Sequence, residues 1–210
     1  MKKKRLPVLL LAVLLVQTGC FSFGGKREPP PPRFAILTER PDATDVVEKP
    51  VTNNLFVIGR FKTSRETEGR AIPILDTETG RYGSYAKGTF AFPVDVVVNT
   101  ATRNWLVHSG KFGTVVDSSI APRSKKRIIL EGWIEQFGLE RDHGKWSSEI
   151  EILYLLQFPN GTFREIPLAI STSVDTPVRD NAPQTEDVMR AFRRGMEIIL
   201  ENLEKKLEED

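Results

Sequence analysis

The residues of this 210-residue chain that could serve as neutral-pH bases or nucleophiles are few: one cysteine, Cys20, and two histidines, His108 and His143. His108 adjoins Ser109, but neighbours in sequence rarely set a nucleophile and its base in hydrogen-bond reach. His143 adjoins Asp142 in a stretch that reads as a turn, and neither histidine has a second ligand at metal-binding spacing. The chain contains no Gly-x-Ser-x-Gly elbow, no phosphate-cradling glycine loop ending in Lys-Ser or Lys-Thr, and no His-Glu-x-x-His helix. Aspartate and glutamate are plentiful, but they fall on the polar positions of strand and helix patterns, where solvation is their ordinary role. The expectation is a protein without catalytic residues, metal or cofactor.

Cys20 asks for a different chemistry, because a lone cysteine cannot close an internal disulfide. Ahead of it Lys2, Lys3, Lys4 and Arg5 form a positive segment, and residues 6–16 are apolar apart from Pro7. That order is the layout of a secretory signal, and the apolar run is too short for a membrane span, which needs roughly 20 residues. Gln17-Thr18-Gly19-Cys20 then resembles a lipobox, with Gln17 where leucine is usual. The resemblance implies that the Cys20 thiol takes a diacylglyceryl group and that the chain is cut between Gly19 and Cys20. Residues 1–19 are thus read as a signal peptide, residues 20–33 as a lipidated cysteine with a tether, and residues 34–210 as a periplasmic domain. Pro29-Pro30-Pro31-Pro32 favours extended polyproline II, at about 3.1 Å per residue, and suits a spacer.

Removing the signal changes the charge. Four of the 30 basic residues and none of the 28 acidic ones lie in residues 1–19, which leaves 26 against 28. A mature chain near −2 gives no support to nucleic-acid binding as a main activity. Its composition, 40% hydrophobic and 28% charged over the whole sequence, belongs to an ordinary soluble domain.

The periodicities outline a mixed domain. Strands are expected at residues 34–37, 55–61, 82–89 and 112–116, with a short extended piece at 72–75. A helix is expected to begin with Pro93 at its first position and stop at Gly110, burying Val94, Val98, Ala101 and Trp105. Residues 127–137 and 146–158 alternate as half-buried strands, and a third at 163–172 completes an antiparallel meander. The Asn160-Gly161 pair marks the last hairpin as a type I′ turn, a better reading of Asn160-Gly161-Thr162 than a glycosylation sequon. Val188, Phe192, Met196, Ile199, Leu203 and Leu207 trace one stripe of a final helix, fit to cover the sheet. Two places could instead meet a partner: the end of this helix at Leu203 and Leu207, and Trp133, which shares a strand parity with Ile129, Glu131, Glu135 and Phe137.

From Leu55 onward the chain resembles the ABC-type transport auxiliary lipoproteins of the paraquat-inducible protein C type. The matching features are the strand at 55–61, Tyr82 and Tyr85, Phe92-Pro93 before a helix, and Leu106-Val107-His108-Ser109-Gly110 with Phe112 and Val115. Ile129-Leu130-Glu131-Gly132-Trp133-Ile134, the helix from Phe192 to Leu207, and Arg33-Phe34-Ala35-Ile36-Leu37 after the tether add to it. The resemblance implies a single α/β domain of the α+β type, two helices packed on a mainly antiparallel sheet. It also implies work beside MCE-domain proteins and an ABC permease in lipid transport between membranes, as a docking or anchoring component, with a homo-oligomer possible. Phe21 after the lipidated cysteine is not the aspartate that retains enteric lipoproteins in the inner membrane, so the periplasmic face of the outer membrane is expected. The alternative is a lipoprotein that regulates or scaffolds another envelope complex, a cell-wall synthase or a secretion pore.

Overall fold

The computed structural model describes residues 30–38, 40, 55–122, 126–175 and 182–209. Cys20, its leader and the start of the proline-rich stretch lie outside these residues. Among the described residues eight strands and two helices follow in the order β1 (Arg33–Phe34), β2 (Leu55–Thr63), β3 (Ala71–Asp76), β4 (Arg81–Phe90), α1 (Val94–Ser109), β5 (Val115–Asp117), β6 (Arg127–Asp142), β7 (Lys145–Gln157), β8 (Phe163–Val174) and α2 (Thr185–Glu208).

The long strand β6 organises the sheet. One of its edges pairs antiparallel with β7 from Ile129 to Asp142, and β7 pairs antiparallel with β8, which gives the expected meander. The other edge is shared: β2 runs parallel to it from Arg127 to Ile134, and β3 runs parallel to it from Leu139 to Arg141. A bulge between Ile134 and Gln136 marks the change of partner. There Ser64 closes β2, its N–H donating to the Ile134 carbonyl and its hydroxyl to the Glu135 carbonyl, each at 2.9 Å. The sheet is completed by β5 parallel to β2, β4 antiparallel to β3, and β1 parallel to β4. It is therefore mixed rather than mainly antiparallel, while the α+β class stands. Side-chain alternation marks a strand but not its direction, so the parallel pairings leave no trace in it.

The bulge corrects one assignment. Inserting one residue into a strand reverses the parity beyond it. Ile128, Leu130 and Ile134 point to the core before the bulge, and Phe137 and Leu139 do so after it. Phe137 therefore leaves the side of Trp133 and stacks on Phe192 of α2 at 5.1 Å, with Phe90 of β4 edge-on to both at 5.5 Å. This aromatic cluster locks α2 to β4 and β6. Gly132 has a matching purpose: a Cβ there would stand 2.3 Å from the Phe61 ring, so only glycine lets Phe61 lie against β6.

Both helices cover the same face of the sheet. Val94, Val98, Ala101 and Trp105 of α1 are buried, as is the whole apolar stripe of α2. Pro93 stands at the N-cap of α1, with ψ 147°, one position before the expected one, and Gly110 at φ 66° donates its N–H back to the Val107 carbonyl at 3.3 Å. The early strand shrinks to Arg33–Phe34, whose neighbour Pro32 accepts the Thr89 N–H at 3.0 Å. The strand expected at 112–116 begins at Val115, and Phe112 instead buries its ring 5.6 Å from Phe56. The two hairpins exchange expectations. His143 at φ 46° and Gly144 at φ 76° form the type I′ turn between β6 and β7. Among the described residues His143 is the only non-glycine at positive φ, so Asn160 does not adopt it. The β7–β8 loop has Pro159 at the second position of a turn closed by the Gly161 N–H on the Phe158 carbonyl at 2.9 Å. Gly161 alone turns left-handed, and the Asn160 side chain accepts the Thr162 N–H at 3.0 Å.

Candidate functional site

Of the residues singled out in the sequence, Cys20 and Gly19 lie outside the described residues. Leu203 and Leu207 are corrected as partner contacts: both are buried, at 0% and 5% exposure, within the core that α2 closes over the sheet. Trp133 is different. It projects from the face without helices and remains 39% exposed.

Register shows what surrounds it. Lys62 of β2, Trp133 of β6, Leu153 of β7 and Pro167 of β8 lie side by side in one row across four strands. The next row places Glu131, Leu155 and Glu165 together, and Ile129 continues toward Gln157 and Phe163. Phe163 is 70% exposed. The face is thus a band of apolar side chains bordered by the exposed carboxylates of Glu131, Glu151 and Glu165, with exposed Lys62 beside Trp133 at the β2 end of its row. Farther along β6, Glu140 has its pKa raised, first by partial burial and then by the nearby charges of Glu149 and Asp142. An apolar band framed by three carboxylates and one lysine is suited to hold a surface with an apolar centre and mainly basic edges. No proton-transfer geometry accompanies it.

A second cluster went unread in the sequence. Glu204 of α2 is buried, and its carboxylate is filled from three directions. Arg40 Nη2 and Lys111 Nζ each reach Oε1 at 2.8 Å, and the Trp105 indole N–H donates to Oε2 at 2.7 Å. Arg40 also donates to the His108 carbonyl at 3.1 Å, and Lys111 pairs with Glu208. Burial by itself would raise the Glu204 pKa, but the hydrogen bonds from Lys111 and Trp105 and the charges of Arg40 and Lys111 outweigh it and hold the group below its ordinary value. Around it lies an open pocket of about 360 Å³ lined by Arg40, Trp105, Lys111, Glu201, Glu204, Lys205 and Glu208. With both oxygens occupied, Glu204 is an ionised clamp between the ends of the two helices, not a base. The signal that could have found it is spacing: Leu200, Leu203, Glu204 and Leu207 fall at i, i+3, i+4 and i+7, which puts the glutamate inside the apolar stripe.

The remaining polar candidates do not converge. His108 sits exposed at the end of α1 with Nδ1 2.6 Å from the Asn104 carbonyl, and His143 sits in the β6–β7 turn with Nδ1 3.0 Å from Glu78. Tyr154 is buried in the core, its phenol pKa pushed up by burial, with Thr102 at 3.3 Å. Among the described residues no group of three or more His, Cys, Asp or Glu side chains is placed to hold a metal, and no helix is long and apolar enough to cross a membrane.

No family model matches the chain, and no curated protein matches it either. Solved structures do. Protein XCC0632 from Xanthomonas campestris, of the family DUF330, superposes with a TM-score of 0.65 at 14% identity, over 81% of this chain and 91% of its own. An uncharacterized protein superposes with a TM-score of 0.62 at 13% identity, over 85% of this chain and 99% of its own. A minor lipoprotein from Acinetobacter baumannii is more distant, with a TM-score of 0.40 at 8% identity over 72% of this chain and 91% of its own. At such identities the first two likenesses concern the fold alone: this chain shares its arrangement of two helices on a mixed sheet with XCC0632.

Proposed function

We propose that this chain is a lipid-anchored envelope protein that works by docking rather than by catalysis. Its place is at the periplasmic face of the outer membrane, as the auxiliary component of an ABC-type lipid transport system with MCE-domain proteins. The observation that carries the reading is the only cysteine standing directly behind Gln17-Thr18-Gly19, at the end of a basic and then apolar leader. Two or three acyl chains on one cysteine anchor firmly where a single chain binds only marginally. The proline-rich stretch supplies reach, and the helix-free face around Trp133 supplies grip. A mechanical role of this kind needs no titrating nucleophile, which accords with Glu204 being saturated by its partners and with both histidines lying apart at the surface.

Metabolic labelling with radioactive palmitate tests the anchor: the full chain takes up label and the Cys20→Ala chain does not. Equal labelling of the two, or none in either, removes the anchor and the bridging role with it. Copurification from membranes tests the system: an MCE-domain protein retained by the wild type and lost on Trp133→Glu supports the transport reading. Consistent recovery of a peptidoglycan synthase or a secretion pore instead replaces it with a regulatory or scaffolding role.

A further inference from the structure

The outward sides of the two helices differ in kind. Every exposed position of α2 is charged except Asn202. On α1 the exposed positions are Val96, Thr100, Asn104, Val107 and His108, with no aspartate, glutamate, lysine or arginine among them. Alongside this side of α1 runs the segment Ala35-Ile36-Leu37-Thr38, and between the two lies a groove of about 330 Å³ whose lining includes no charged residue. Three apolar side chains stand proud of it: Leu37, Phe92 and Val96, at 63%, 55% and 44% exposure. A soluble domain does not ordinarily set three exposed apolar side chains around a groove whose lining carries no charge.

We propose that this side of α1 rests on the bilayer that carries the anchor, with Leu37, Phe92 and Val96 entering the headgroup region and the groove taking lipid. The inference depends on the reading of Cys20 as lipidated. Nine residues, 21–29, separate Cys20 from Pro30, a span that reaches at most about 35 Å. The groove begins five residues farther on, at Ala35. Its wall therefore follows directly on β1, close in sequence to the membrane attachment, and the tether holds the bilayer at high effective concentration beside it. Under that condition a weak surface suffices. The groove wall, with neutral Thr100 and Asn104, brings no charge that would have to be desolvated; the partly exposed Asp95 and Arg103 lie outside its lining, Arg103 donating to Asn104 Oδ1 at 3.3 Å. The helix-free face of the sheet, with its acidic rim, lies on the opposite side of the sheet from α1 and stays turned toward the periplasm.

The test uses the full lipidated chain reconstituted into vesicles of phosphatidylethanolamine and phosphatidylglycerol. A Val96→Cys chain and, as control on α2, an Arg194→Cys chain carry an environment-sensitive fluorophore; the thioether at Cys20 leaves the new thiol as the free one. The expected result is a blue-shifted label at position 96, quenched by doxyl-bearing lipid at least about twofold more than the label at 194, since interfacial burial reaches several ångströms into the headgroup layer. Replacing Leu37 and Phe92 with serine abolishes that difference while the chain still floats with the vesicles. Equal quenching at the two positions overturns the inference, as does a blue shift at 96 without lipid quenching, which would mean that protein covers this face. A chain that does not float at all takes the Cys20 reading down as well, an outcome distinct from a floating chain whose label at 96 remains in water.

Discussion

Two apolar arrays occupy the second half of the chain, and they meet different ends. The stripe of α2 from Val188 to Leu207 disappears against β7, β8 and the rings of Phe90 and Phe137, which Phe192 of the stripe meets. The band across the other side of the sheet, Ile129, Trp133, Leu153 and Leu155, is left half-covered. The difference lies in what each array can tolerate. A helix of alternate turns of leucine and charge has no reason to hold its place unless the stripe is removed from water, since packing supplies most helical stability. A central strand is already held on both edges by its ladders, so its outward side chains are free to stay wet. Burial is thus a condition of α2 existing, whereas the outer band of β6 and β7 is optional for folding and available for another purpose.

Substitutions in the two arrays should therefore separate stability from binding. Leu203→Ala in α2 removes a side chain with no exposed area and is expected to cost about 3–5 kcal/mol in chemical denaturation, in the range of buried leucine truncations. Glu204→Ala, one residue on, comes next. It leaves the Trp105 indole N–H and the charges of Arg40 and Lys111 without their common acceptor. The expected loss is about 2–4 kcal/mol, reduced from a fully buried pair because Arg40 and Lys111 keep some contact with water. A cost for Glu204→Ala no larger than that for an exposed glutamate such as Glu201 would show that the clamp adds nothing.

Acid should act on the same two regions with opposite signs. Glu204 has its pKa held down in the folded state, so its contribution is complete above the unfolded carboxylate value of about 4.3 and is lost as pH falls through the lower folded value. Glu140 on the sheet is raised by partial burial, Glu149 and Asp142, so it opposes folding at neutral pH and that opposition fades as pH falls through its raised value. Denaturant midpoints measured from neutral to acid pH should accordingly show a shallower acid decline for Glu204→Gln than for the wild type. Glu140→Gln should be slightly more stable than the wild type at neutral pH and equal to it in acid. The same slope in all three chains would remove both assignments.

How much of this was legible beforehand depends on the range over which the physics acts. Both helices could be read because their stripes are local: spacing of three and four residues needs no knowledge of the rest of the chain. The strand alternation of β7 was legible for the same reason, from Trp146 to Leu156. In β6 the pattern misled at Phe137, since a bulge at Glu135 is set by the handover from β2 to β3 on the neighbouring edge and not by β6 itself. The turn chemistry misled at Asn160-Gly161, where Pro159 fixes the first turn residue and moves the left-handed position to glycine alone. Glu204 was passed over because glutamate on a lysine-rich helix looks solvated, and its partners Arg40, Trp105 and Lys111 are distant in sequence. The parallel pairings of β6 with β2 and β3 depend on long connections whose routes alternation cannot encode. For the candidate site residues the division is different: the expectation at Cys20 rests on its neighbours in sequence and lies outside the described residues, whereas the burial of Leu203 and Leu207 and the exposure of Trp133 required the fold.

The smallest effect on stability is expected where the effect on binding is largest. Trp133→Ser trims a half-exposed side chain from the open face, whose loss of contact with Lys62 and Leu153 should cost about 1 kcal/mol or less, within the range of cross-strand pair energies. Its far-UV spectrum and unfolding midpoint should then stay close to those of the wild type. An aromatic residue at the centre of an interface, by contrast, commonly accounts for 2 kcal/mol or more of binding, about thirtyfold in affinity at that value. If the open band grips the partner, the quantity that collapses is retention of that partner by a chain that is folded and still anchored. Substituting Glu131 and Glu165 with glutamine should weaken retention less and make it less sensitive to salt, because rim charges act mainly on encounter. A Trp133→Ser chain that unfolds as readily as Leu203→Ala would show that the band is structural after all, and one that folds and binds like the wild type would move the grip to another face of the domain.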